Sequence, residues 1–258
     1  MTSASLRSPK QTADPQEQWT TVRRKGRRPP KSHQHAAAPN TPTVTPGSGD
    51  RLSSLSISDI QRKHQRTMDQ WKPSVCCHQL KEIITSQHHS PTVTRAICLG
   101  LGSFDPEDGS WKGKRRAHVQ LAAFLTMVEQ LQHGDQQPIR CIFQDPAFNS
   151  VDKDFIRGLG HEVVDSPEGF DLVDPSTLIF GVHLYKDTYS RAIAQHIPAV
   201  FVGTPREVWE ECHDFDLLDW AMLKKLDERC DKVKFPQDEE DYTIFSTTSI
   251  HWRRQDET

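Results

Sequence analysis

Ser103, Asp145 and His183 occur in the chain order Ser…Asp…His, the order in which one class of hydrolases supplies nucleophile, acid and base. The flanking pattern argues against that chemistry. No Gly-x-Ser-x-Gly elbow surrounds Ser103, and the stretch "CLGLGS" (Cys98–Ser103) places two glycines before the serine and none behind it. Gly100 and Gly102 point instead to a strand that opens onto a ligand, or to one that merely turns a corner. A dinucleotide fingerprint would need a third glycine where Asp105 stands and an acidic residue about 20 residues further on. Asp145 lies roughly twice as far. A phosphate loop would need Gly-Lys-Ser/Thr, which is absent. A methyltransferase-like pocket tolerates the longer gap, with Asp145 reaching a ribose, but Cys98 stands where its usual acid would be. Backbone amides at the glycine turn could also hold an anion. Each residue has a structural reading beside the chemical one: Ser103 as a turn or cap, Asp145 bonding local amides, His183 packing on Tyr185.

These residues fall at the ends of apolar runs that alternate with helical patterns. The runs are "AICLGLG" (Ala96–Gly102), "IRCIFQD" (Ile139–Asp145), "HEVVD" (His161–Asp165), "STLIFGVH" (Ser176–His183) and "PAVFVG" (Pro198–Gly203). Between them, Leu121, Phe124, Leu125, Val128 and Leu131 repeat at helical spacing. Val151–Gly160 reads as a short helix stopped by glycine, and a further helix runs from about Asp187 to His196. Phe215–Leu226 closes the series as an amphipathic helix. Nearly continuous apolar strands alternating with helices predict an α/β fold: a Rossmann-like, doubly wound, mostly parallel five-stranded sheet in the order 3-2-1-4-5, with helices on both faces. Ligands of such sheets bind beyond the carboxyl ends of the strands. That rule gathers Gly100, Gly102, Ser103, Asp145, His183, Tyr185 and Thr204 into one candidate ligand site.

Two helices are expected ahead of the sheet, over 56–90. The first carries Ile57, Ile60, Thr67, Met68 and Trp71 on one stripe, with Ser56 or Ser58 as cap; the second carries Leu80, Ile83 and Ile84. The expected division is a basic, Pro/Ser/Thr-rich disordered tail over 1–55, one domain over 56–252, and a short tail over 253–258. Residues 1–49 hold eight Lys/Arg against two Asp/Glu, about +6, in a chain of net charge −3. Such a tail is poor in large apolar groups and is expected to be dispensable for folding. Its basic block, with Arg23, Arg24, Lys25, Arg27, Arg28 and Lys31, suits an import receptor or sequence-independent phosphate contact, or is a solvated charge run.

Composition narrows the classes. Hydrophobic residues make up 34% of the 258, and no apolar run approaches the roughly 20 residues of a membrane span. No secretory signal is read at the N-terminus. Six scattered cysteines without a CxxC pair fit a reducing compartment, with Cys98 and Cys141 as buried thiols. His78, His88 and His89 lack partners at metal-binding spacing, so no metal is expected, and no cofactor is evident from the residues.

The combination of Ile97–Ser103, Gln120–Leu121, Asp145–Pro146 and Leu159–Gly160 resembles the sensitivity-to-red-light-reduced family, whose members carry an SRR-like domain. "FSTTSIHW" (Phe245–Trp252) is similar to that family's Phe-Asn-Asp-Thr-Ser-x-His ending, with Ser246 and Thr247 in place of Asn-Asp and His251 retained. Val182-His183-Leu184 departs from the family's Pro-His-Cys, and Gly203-Thr204-Pro205 from its Gly-Asn-Ser. The resemblance implies a non-enzymatic regulatory protein of cytoplasm and nucleus, linked to circadian clock input and to regulation of haem biosynthesis, acting through protein partners. Haem enters by family association only. The alternative is an enzyme that binds a nucleotide or S-adenosylmethionine through Gly102, Ser103, Asp145 and His183.

Overall fold

The computed structural model describes residues 54–87, 91–132, 137–211 and 219–254. Residues 1–53 of the expected tail, with its basic block, and His88 and His89 lie outside the described residues; Ser54 and Leu55, which the expected tail includes, donate to Asp105 Oδ2. Two helices open the described chain: α1 (Ile57–Trp71) and α2 (Val75–Thr85). Ser56 caps α1 through a capping box with Asp59, and Ser74 caps α2 through the Cys77 amide. Then follow β1 (Arg95–Leu99), α3 (Trp111–Leu131), β2 (Arg140–Gln144), α4 (Ser150–Gly158), β3 (Glu162–Val163), α5 (Glu168–Asp171), β4 (Thr177–Phe180) and α6 (Lys186–Ile193). The chain continues with β5 (Val200–Gly203), α7 (Arg206–Glu211), α8 (Trp220–Arg229), β6 (Cys230–Lys234), a 3-10 turn (Tyr242–Ile244) and β7 (Ser249–Arg253).

The fold is mixed α/β, built on one seven-stranded sheet of order β3-β2-β1-β4-β5-β7-β6. The first five strands pair in parallel, in the order expected from the sequence. The expectation of a five-stranded sheet is corrected by the C-terminal segment. There β7 pairs antiparallel with β5, Val200 opposite Trp252, and β6 pairs antiparallel with β7. The physical reason is that β5 would otherwise be an open edge of unpaired backbone groups. Of the closing helix expected over Phe215–Leu226, residues 215–218 lie outside the described residues; α8 covers Trp220–Arg229, and the chain passes from it directly into β6.

Alternation along each strand divides the core in two. Ala96, Cys98, Cys141, Phe143, Phe180 and Val202 face one side, with side chains of α1, α2, α3 and α4. Ile97, Leu99, Ile142, Ile179 and Phe201 face the other, with side chains of α5, α6 and α8. Phe124 of α3 meets Phe143 and Phe180 edge-on at 5.1 and 5.7 Å, a preferred aromatic geometry. The five described cysteines, Cys76, Cys77, Cys98, Cys141 and Cys230, are free thiols and buried. No described helix is long and apolar enough to cross a membrane.

Candidate functional site

A cleft of about 560 Å³ opens at the carboxyl ends of β1, β2 and β4, lined by Gly100, Gly102, Ser103, Asp145, His183 and Tyr185 among others. Six of the seven residues expected at the site thus share one space. Thr204 does not line it. Its side chain is buried with the residue at 5% exposure, and its carbonyl accepts the Tyr189 hydroxyl at 2.8 Å, so it belongs to the packing beneath α6.

The glycine turn is a backbone device. Gly100 and Gly102 have φ of +68° and +84°, in the left-handed region that side chains resist. A Cβ on Gly100 would also lie 2.6 Å from Leu184 Cδ2, whereas a Cβ on Gly102 would meet nothing within 4 Å. The turn is pinned by Asp145, whose Oδ2 accepts the Gly102 amide at 2.6 Å and whose Oδ1 accepts the Ala147 amide at 2.7 Å. Burial pushes the Asp145 carboxyl above its ordinary value, and the two amides pull it the other way. Asp145→Asn places an amide NH₂ against a backbone N–H. It is expected to lower stability by about 1–3 kcal/mol, measured by urea unfolding. An unchanged midpoint would show that the carboxylate is not needed for the turn. Gly102→Val has room for its side chain, so its expected loss of about 1–2 kcal/mol comes from backbone strain alone.

Ser103 is engaged as well. It is buried; its hydroxyl accepts the Asp105 amide at 3.0 Å and donates to Asp152. Asp152 is fully buried on α4, where it also takes the amides of Phe104 at 3.1 Å and Asn149 at 3.1 Å, the latter completing a capping box. His183 sits at φ +56°, is exposed, and its Nε2 lies 2.8 Å from the Ser246 carbonyl. The expected packing of His183 on Tyr185 gives way to this bond to the C-terminal segment. Ser103, Asp145 and His183 therefore share a cleft, but Ser103 and Asp145 bond backbone amides and Asp152, and Nε2 of His183 lies against the Ser246 carbonyl. Burial also lifts the Cys98 thiol well above its ordinary value, which keeps it from being a thiolate nucleophile at neutral pH.

Sequence reading missed Arg116, Gln120, Gln144, Phe170 and Arg191, which also line the cleft. Arg116 and Gln120 are one helical turn apart on α3, so the basic run before the Gln-Leu pair was a usable signal. Gln120 is buried and its Nε2 donates to the Ile244 carbonyl at 3.2 Å. Gln144 Oε1 accepts the Gly169 amide at 2.7 Å, which ties β2 to α5. The guanidinium of Arg191 lies over the Phe170 ring, 4.6 Å from its centroid. The remaining motif residues are structural: Gly160, φ +88°, ends α4, and His251 is buried on β7 with its ring 5.8 Å from that of Phe201.

One comparison, that with family models, agrees with the motif pattern. No curated protein matches the chain. Among solved structures it is similar to the crystal structure of Thermoplasma acidophilum 1320. That likeness has 9% identity and a TM-score of 0.33 and covers 72% of this chain and 100% of that one, too distant to carry an argument. The SRR1 domain matches residues 76–252, from the first turn of α2 to β7. The turn glycines, the Asp145 pin, the Gln120 tie and the buried His251 all fall inside that span, and this chain belongs to the SRR1 family.

Proposed function

We propose that this chain is a regulatory protein that works by binding at the strand-end cleft and not by catalysing a reaction. The observation that carries this reading is the commitment of Ser103, Asp145 and His183 to separate structural hydrogen bonds around an open cleft. A reaction centre would need them poised on a common atom. The parallel part of the sheet, with helices on both faces, supports a Rossmann-like description, in which this edge is where ligands bind. On the family's pattern, the output lies in circadian clock input and regulation of haem biosynthesis, through protein partners in cytoplasm and nucleus. The domain runs over 56–252, behind the basic tail of 1–55.

A thermal-shift screen against nucleotides, S-adenosylmethionine and haem tests the reading. A ligand present at 100 times its dissociation constant adds about 2.7 kcal/mol and raises the melting temperature. The same samples are then analysed for consumed ligand. Binding without turnover is the expected result, and multiple turnovers would overturn the proposal in favour of an enzyme. That second reading, a nucleotide- or S-adenosylmethionine-dependent enzyme, is favoured by one observation: the glycine turn and Asp145 line the same cleft.

A further inference from the structure

Three consecutive cations on α3 are treated differently by the fold. Lys114 pairs with Asp105 at 2.7 Å, and Arg115 pairs with Asp238 at 2.8 Å and Glu240 at 2.9 Å. Arg116 lines the strand-end cleft and forms no ion pair among the described residues. Arg191 lines the same cleft from α6 and likewise has no carboxylate partner among the described residues; its guanidinium lies over the Phe170 ring. α3 and α6 pack on opposite faces of the sheet, and Arg116 and Arg191 line the same cleft as the Gly100–Ser103 turn.

Two acidic groups share the cleft: Asp145, whose carboxylate oxygens both accept backbone amides, and Asp187, which is exposed as Arg116 and Arg191 are. A guanidinium presents a planar fork of donors that matches phosphate oxygens in pairs. The volume, about 560 Å³, is that of a small-molecule site. The glycine turn lines the same cleft and is open at Gly102, where a Cβ would meet nothing within 4 Å.

We propose that the cleft takes a small organic phosphate, held by Arg116 of α3 and Arg191 of α6. This rests on the reading of the cleft as the binding site and adds the chemical class of what binds. The test is calorimetry and thermal shift on the full chain with ADP, pyrophosphate and adenosine as probes. ADP and pyrophosphate are expected to bind and adenosine to bind at least tenfold more weakly. Arg116→Gln and Arg191→Gln are each expected to weaken ADP at least tenfold, while Arg157→Gln, outside the cleft, leaves it unchanged. Arg191→Lys keeps a charge, so partial recovery separates charge from lost packing on Phe170.

Three results would overturn the inference. They are adenosine binding as tightly as ADP, ADP binding undiminished in both glutamine variants, or no binding of any probe. The underlying reading is scored separately, by whether Tyr185→Ala at the cleft mouth abolishes regulatory output. Loss of output with no phosphate dependence would leave the cleft as the functional site and reject only the ligand class.

Discussion

Lowering the pH from 7 to 5 is expected to remove about 1–2 kcal/mol of stability for each of three buried histidines, His64, His118 and His251. They are 8%, 1% and 2% exposed. Nδ1 of His64 and of His118, and both ring nitrogens of His251, have no hydrogen-bond partner among the described residues. Burial pushes His64 and His251 down to about 4 and His118 to about 3, from an ordinary 6.5. The unfolded chain therefore takes up these protons as pH falls through 6.5, and the folded chain refuses them until about 4. Stability that is complete above 6.5 is lost on the way down. Lys63 and His64 oppose charge on His118, and Lys232 opposes it on His251, where Asp227 and Glu207 act the other way. Burial raises Asp145 and Asp152, which acts the other way and favours the folded state in acid. Urea unfolding at pH 7 and pH 5 measures the slope. His118→Phe should flatten part of it, because an aromatic ring there still packs against Phe104, whose centroid is 4.9 Å away. Equal stability at the two pH values would show that these rings are hydrated or partnered.

Phe245→Ala is expected to cost about 3–5 kcal/mol, as truncation of a buried aromatic does. Phe245 is fully buried, with its centroid 4.4 Å from Phe235 and 6.3 Å from Trp71. It thus bonds the C-terminal segment to α1, whose Trp71 Nε1 in turn donates to Thr126 Oγ1 of α3 at 2.9 Å. The loss appears as a lower denaturant midpoint. A loss below about 1 kcal/mol would mean that the C-terminal segment can leave without disturbing the core.

The parallel half of the sheet was legible because its strands are apolar on both faces and end in glycine or acid. The antiparallel half was hidden for physical reasons. β6 is an edge strand whose residues Asp231, Lys232 and Lys234 face solvent, so "CDKVK" lacks an apolar pattern. β7 is buried, but Ser249 and His251 break its apolar run, and only pairing with β5 makes those positions interior. α7 has no buried residue, and α5 is a single turn, so neither left a periodic signal. At the site, strand-end reasoning found the turn and its floor. It missed Arg116 and Arg191 because they come from helices, and which helical residue reaches over a strand end depends on packing angle and not on local pattern. It misplaced Thr204 because β5 ends beneath α6, where Tyr189 covers it.

The most direct test of the cleft as the functional site is Tyr185→Ala, read as regulatory output per folded molecule in a circadian-clock or haem-pathway reporter. Tyr185 lies at the cleft mouth and is 84% exposed, so its removal should leave the melting temperature unchanged. The account predicts a stable chain at normal abundance whose output is lost. A stable chain with full output would contradict it.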